Sequence, residues 1–294
     1  MFRQFLIFFG LNLMLQTSMY TMLAQKDIIK KNEDTLMNIS VLGLGLIGGS
    51  MATDIKQKNL AHVTAYDCNN ESLDYALKNN IIDRAAQTIP SAIQDADLIV
   101  VSVPIDHFEN IINEVKPHLT EKQILTDVSS VKHPIVTIAK KILARKMCQF
   151  VPGHPIAGSE KSGVQFSKAD LFANHCTILT PLDETDEKAV KTVAELWQNI
   201  GANIRTMTSE EHDKVLAATS HLPHFIAFAY KDIFSGRPEM CEFTAGSYRD
   251  LTRIAHSDRT FWKHILNANK HEVLQEIENF KTQLNKLYEE IFTE

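Results

Sequence analysis

Gly43-Leu44-Gly45-Leu46-Ile47-Gly48-Gly49-Ser50 is the stretch whose reading decides the fold. It follows an apolar run, Met37-Asn38-Ile39-Ser40-Val41-Leu42, of the right length for a buried strand. It runs on into Met51-Ala52-Thr53-Asp54-Ile55-Lys56, which reads as a helix. Gly43, Gly45 and Gly48 fit G-x-G-x-x-G: the first lets the chain turn off the strand, the second lets a pyrophosphate approach the backbone, and the third lets helix and strand pack closely. Leu46 and Ile47 then lie in the first helical turn, where free N–H groups and the positive dipole end face phosphates. A second strand, His62-Val63-Thr64-Ala65-Tyr66, ends at Asp67, 24 residues after Gly43, about where a carboxylate accepts from the ribose hydroxyls. A glycine turn needs no ligand by itself. The strand before, the helix after and the acidic residue beyond make a dinucleotide site the stronger reading.

Outward from that turn, β and α patterns alternate. Asp97-Leu98-Ile99-Val100-Val101-Ser102-Val103-Pro104 is an apolar strand with a proline stop, and its β-branched residues suggest burial on both faces of a parallel sheet. Gln123-Ile124-Leu125-Thr126-Asp127 and Gln149-Phe150-Val151-Pro152 read as further strands, and His175 to Thr180 as one more. Helices are expected over Glu71–Asn79 and His107–Val115, and from Asp127-Val128-Ser129-Ser130-Val131-Lys132 through Ala144. This order calls for an α/β fold: a Rossmann-type, doubly wound, mostly parallel sheet followed by a mainly helical dimerisation domain. Ligands of such sheets sit at the carboxyl ends of the strands. The candidate cofactor-binding set is therefore Gly43, Gly45, Leu46, Ile47, Gly48, Asp67, Ser102, Val103, Pro104 and Asp127. Asp67 favours NAD over NADP, since it would repel a 2′-phosphate and Cys68-Asn69-Asn70 brings no arginine. The expected domains are an extension over 1–36, a dinucleotide-binding domain over 37–186 and a helical domain over 187–294. Val273, Ile277, Phe280, Leu284, Leu287 and Ile291 recur at helical steps in the last of these.

Composition bounds the function. The chain has 294 residues, 44% of them hydrophobic, and a net charge of −6 with no long basic run, which argues against a nucleic-acid groove and agrees with a small-molecule enzyme. Four scattered cysteines, none in C-x-x-C, read as reduced thiols of a cytoplasmic protein. Phe5 to Leu15 is apolar behind Arg3, short for a membrane span, with Met22 giving a poor cleavage site before Ala24. It reads either as residues added by an upstream start or as an export or membrane segment. The first fits an enzyme that draws on a cytosolic cofactor pool, and no membrane association is expected of 37–294.

Three stretches carry chemistry. Gly153-His154-Pro155-Ile156-Ala157-Gly158-Ser159-Glu160-Lys161-Ser162-Gly163 reads as a shaped loop at the carboxyl edge of the sheet. His154 could accept a proton from a hydroxyl as hydride leaves the same carbon; a histidine bonded to loop backbone is the alternative. Ser220-His221-Leu222-Pro223-His224 precedes an apolar helix whose first turn suits Pro223, and a histidine at that helix end favours its neutral form. No H-E-x-x-H occurs, and no metal site is expected. Arg253, in Asp250-Leu251-Thr252-Arg253-Ile254-Ala255, could fork onto a carboxylate or pair with Asp250 on the surface.

Taken together, GLGLIGGS, DVSSVK at 127–132, GHPIAGSEKSG at 153–163, SHLPH at 220–224 and DLTRIA at 250–255 resemble the prephenate/arogenate dehydrogenase family of tyrosine biosynthesis, over about 37–294. The resemblance implies oxidation of prephenate by NAD(P) with loss of carbon dioxide, and a homodimer held by the helical domain. It implies that His154 takes the proton of the ring C4 hydroxyl and that Ser130 orients that histidine and the hydroxyl. It further implies that Arg253 binds a substrate carboxylate and that His221 and His224 line the pocket with Gly246 nearby. Ser159 and Glu160 fall on its entrance loop. Ser129 stands where the family often has glycine, which bears on the turn ahead of Ser130. The family's extra regulatory and chorismate mutase domains are not expected here. The rival readings are the same chemistry on arogenate, a β-hydroxyacid dehydrogenase, for which 209–230 has histidines where a catalytic lysine is wanted, and a non-catalytic nucleotide sensor. The sensor would have no use for His154, Ser130 and Arg253 together.

Overall fold

The computed structural model describes residues 36–159 and 161–293. The signal-like stretch Phe5 to Leu15, and Glu160, lie outside the described residues. The parallel sheet is built from β1 (Met37–Leu42), β2 (Ala61–Tyr66), β3 (Arg84–Ala85), β4 (Leu98–Val101), β5 (Ile124–Asp127) and β6 (Phe150–Val151), in the order β3-β2-β1-β4-β5-β6. That order is the doubly wound one, with the switch point between β1 and β4. Four connecting helices of this part are α1 (Leu46–Gln57), α2 (Asn70–Lys78), α3 (Ile89–Ile93) and α4 (Ile105–Val115); α5 (His133–Leu143) leads from β5 towards β6. All four residues of β4 are buried, as a central strand covered on both faces requires. Phe108, Ile112, Val115, Ile135, Ala139 and Phe150 close the core on one side of it.

A second sheet departs from the expectation. Gly153–Pro155 is not an irregular loop but a short strand, β7, antiparallel to β8 (Cys176–Leu179), with His154 opposite Ile178. Three residues suffice because Gly153 lies close against the Asp127 carbonyl and Pro155 sits at the strand's end. Helix α6 (Glu187–Asn199) then leads to β9 (Asn203–Thr206), which pairs parallel with β8. The second sheet thus runs to residue 206, past the boundary expected at 186/187.

From Ser209 the chain is helical: α7 (Ser209–Leu216), a π-turn (Ala217–His221), α8 (Leu222–Ile233), α9 (Pro238–Cys241), α10 (Gly246–Thr252), α11 (Arg259–Ala268) and α12 (Lys270–Phe292). His221 takes the N-cap position of α8, but no side chain caps there and the helix end is not free. The π-turn carries the backbone continuously from α7 into α8 and absorbs Pro223 in the new first turn. Such turns recur at functional sites. No helix among the described residues is long and apolar enough to cross a membrane.

Candidate active site

The glycine turn behaves as its motif requires. Gly43 has φ +102°, and a Cβ there would meet the Ser102 carbonyl at 2.4 Å. A Cβ on Gly48 would meet the Gly43 carbonyl at 2.2 Å, so both must be glycine for β1, α1 and β4 to meet. Gly45 differs: nothing lies within 4 Å of its missing side chain, which is the open side of the turn. No side chain caps α1 at Gly45, so the first-turn amides, including those of Leu46 and Ile47, are free for an anion. Asp67 holds the turn from β2: its carboxylate accepts from the Leu44 amide at 2.6 Å and the Asn69 amide at 2.8 Å. Ser102, Val103 and Pro104 leave β4 beside it, and the Ser102 amide donates to the Leu42 carbonyl.

Asp127 turns its carboxylate into the fold. It is wholly buried, accepting from Lys132 Nζ at 2.6 Å, the Ser129 amide at 2.8 Å and the Gly153 amide at 3.2 Å. Its carboxylate is consumed by the fold, which corrects the expectation of direct cofactor contact. Lys132, 0% exposed, also donates to the Gly153 carbonyl at 2.6 Å. One buried ammonium therefore staples the DVSSVK segment to the strand carrying His154. Burial pushes the Lys132 pKa down, and the Asp127 and Asp213 carboxylates oppose the shift.

His154 is 8% exposed. Its Nδ1 lies 2.9 Å from His212 Nε2, and His212 Nδ1 lies 2.7 Å from Asp213 Oδ1. The Asp213 carboxylate also accepts from the Lys132 amide at 2.8 Å and the His133 amide at 2.9 Å, at the start of α5. Burial, with the charges of His212, Lys132 and His221, holds the His154 pKa well below the ordinary histidine value. Burial also lowers His212, against the pull of Asp213. For Asp213, burial acts upward, but the bonds from His212 and the two amides outweigh it and keep it ionised. His154 Nδ1 is met by His212, a partner that the sequence reading did not anticipate. Ser130 is half-buried, three residues beyond the end of β5.

His221 is buried, and desolvation brings its pKa to about 4. Burial, not a helix dipole, keeps it neutral. His224 stacks on Trp262 at 3.5 Å between centroids, and His221 meets the same indole edge-on at 6.2 Å. His224 is lowered by burial and by the nearby charge of Arg253. Arg253 is exposed and makes no ion pair among the described residues, so the surface pair with Asp250 does not form. Gly246 begins α10 with open space about it, and Ser159 is exposed. No group of metal-ligating side chains occurs among the described residues.

Sequence reasoning missed His212, Asp213, Asn269 and Trp262. Glu210-Glu211-His212-Asp213 was a visible cluster, but its partners are 58 and 81 residues away in the chain.

A switch-point sheet with a free glycine turn, followed by a cluster of buried histidines and a helical region, defines a nucleotide-binding α/β enzyme with a helical partner domain. "Prephenate dehydrogenase, nucleotide-binding domain" matches residues 51–206, and "Prephenate dehydrogenase, dimerization domain" matches 208–294. The chain is 35% identical over 256 residues to cyclohexadienyl dehydrogenase of Zymomonas mobilis, covering 85% of this chain and 87% of that protein. It is 35% identical to prephenate dehydrogenase of Bacillus subtilis, covering 87% and 69%. Prephenate dehydrogenase from Aquifex aeolicus, solved with hydroxyphenyl propionate and NAD+, superposes with a TM-score of 0.81 at 36% identity, covering 87% of this chain and 90% of that one. The chain belongs to the prephenate dehydrogenase family.

Proposed function

We propose that this chain oxidises prephenate with NAD to 4-hydroxyphenylpyruvate and carbon dioxide. The observation that carries the reading is His154: buried, kept neutral, and hydrogen-bonded through Nδ1 so that Nε2 is left without a partner among the described residues. The NAD site fits the residues present, with an uncapped α1, an open side at Gly45 and a carboxylate at the end of β2. When bound, NAD supplies the hydride acceptor. Hydride leaves ring C4 while Nε2 of His154 takes the C4 hydroxyl proton. The ring carboxylate departs as carbon dioxide, its bond electrons complete the aromatic ring, and the proton returns to the phenolate oxygen. Ser130, beyond the end of β5, holds the hydroxyl. Arg253 takes a substrate carboxylate with its unpaired guanidinium. His221, His224 and Gly246 line the pocket, with Ser159 and Glu160 at its entrance.

The helical domain forms a homodimer in this reading. Leu274, Leu284, Leu287 and Ile291 expose an apolar stripe along α12, which a second copy would cover. The test is reduced-nicotinamide formation by the full chain with NAD, with prephenate and arogenate supplied separately. Turnover of prephenate is expected. Turnover of arogenate alone would keep the mechanism and change the substrate, and turnover of neither by folded, NAD-binding protein would overturn the reading.

A further inference from the structure

The buried polar atoms around Asp213 form one connected chain, and each bond in it has a direction. An ionised carboxylate only accepts, so His212 Nδ1 carries the hydrogen in the 2.7 Å contact with Asp213 Oδ1. His212 is neutral, which leaves its Nε2 as an acceptor. The 2.9 Å contact to His154 Nδ1 therefore has His154 donating. The proton of neutral His154 is spent on Nδ1, and the lone pair sits on Nε2.

The same residue sends a second branch through its backbone. The Asp213 carbonyl accepts from Asn269 Nδ2 at 2.7 Å, which fixes how that side-chain amide is turned. The other hydrogen of the same Nδ2 points to His221 Nδ1 at 3.2 Å, so His221 accepts at Nδ1 and carries its hydrogen on Nε2. That Nε2 is buried and has no partner among the described residues. A buried donor without an acceptor is left desolvated at a cost, and a ligand oxygen would remove that cost.

We infer that Asp213 is a positioning residue that sets opposite tautomers in two histidines: through His212 it leaves His154 a proton acceptor at Nε2, and through Asn269 it leaves His221 a hydrogen-bond donor at Nε2. The acceptor faces the group that loses a proton. The donor is suited to a substrate carbonyl or carboxylate oxygen. The catalytic use of the two tautomers rests on the proposed dehydrogenase reading; the tautomers themselves do not.

The test has two arms, both on the full chain. In the first, protein with 15N-labelled histidine is examined by multiple-bond proton–nitrogen correlation at neutral pH, with His154→Gln and His221→Gln used for assignment. The expected pattern is an Nδ1–H tautomer for His154 and an Nε2–H tautomer for His221. An Nε2–H tautomer or an imidazolium at His154 overturns the inference, as does an Nδ1–H tautomer at His221. This arm holds even for protein that turns over no prephenate, so it separates failure here from failure of the functional reading.

In the second arm, His212→Phe is compared with His212→Gln. Glutamine can accept from His154 and donate to Asp213 at the same time, whereas phenylalanine can do neither. We expect His212→Phe to lose about 100-fold in kcat with the prephenate KM little changed, and His212→Gln to recover about ten-fold of that loss. Equal kcat in the two variants overturns the inference. If His212→Phe does not fold, His212→Gln decides: retention of the His154 Nδ1–H signal supports the inference, and its loss overturns it.

Discussion

The glycine turn and the histidine–aspartate network are built in opposite ways. The turn is made of backbone: Gly43, Gly45 and Gly48 act by lacking side chains, and they lie within six residues of one another. The network is made of side chains, His154, His212, Asp213, Asn269 and His221, delivered by β7, α7, the residue between α11 and α12, and the π-turn. A backbone site tolerates little at its crowded glycines and is insensitive to pH. A side-chain site depends on burial to keep its imidazoles neutral, and so carries a titration.

The largest effect that sharpens this contrast is on chemistry. His154→Asn should reduce kcat by about 10³ while the protein still binds NAD, because only the proton acceptor is removed. Steady-state kinetics with nucleotide titration would show it, and near-normal turnover would place the base elsewhere. Next comes stability. Lys132→Met should destabilise the fold by about 3–5 kcal/mol, since it leaves Asp127 charged, buried and unpaired. Denaturant unfolding reads this, and a loss below about 1 kcal/mol would mean that the staple between the two segments is dispensable.

Third, the glycines should separate. Gly45→Ala meets no protein atom and should fold normally with a raised KM for NAD. Gly48→Ala puts a methyl 2.2 Å from a backbone carbonyl and should lower the melting temperature as well. Equal thermal shifts in the two variants would remove the distinction between an open and a crowded glycine.

The pH dependence is smaller but belongs to the network alone. His154 is lowered well below its ordinary value and His221 to about 4, so the active, neutral forms persist through the usual histidine range. The acidic limb of kcat/KM should therefore fall below pH ~6.5. Stability follows the same sign. The unfolded chain binds these protons first, so the stabilising contribution is complete above pH ~6.5 and is lost as pH falls toward the folded values. A limb centred at the free-imidazole pKa would contradict the burial of His154. The smallest structural effect is Arg253→Ala. Its guanidinium holds no partner among the described residues, so stability should stay within about 0.5 kcal/mol while the prephenate KM rises.

The nucleotide half was largely legible because its determinants are local. Strand, turn and helix around Gly43 to Ser50 are contiguous, and the alternation of apolar runs announced a doubly wound, mostly parallel sheet. Legibility failed where a local pattern had a distant partner. Gly153–Pro155 looked irregular by composition, yet β8 makes it a strand. Asp127 stood at a strand's carboxyl end like a cofactor ligand, yet Lys132 and two amides claim it. Nothing in the neighbours of His212 points to a residue 58 positions earlier.

The sequence by itself determined the doubly wound sheet, the phosphate-facing turn and the identity of His154 as the residue to watch. These follow from periodicity and from which backbone angles glycine alone allows, which are properties of neighbours along the chain. Only the tertiary structure decided that His154 is bonded to His212 and through it to Asp213, that Lys132 is spent inside the fold, and that Arg253 makes no ion pair among the described residues. Protonation state and hydrogen-bond direction depend on burial and on the group across the contact, and those are settled only when distant segments pack together.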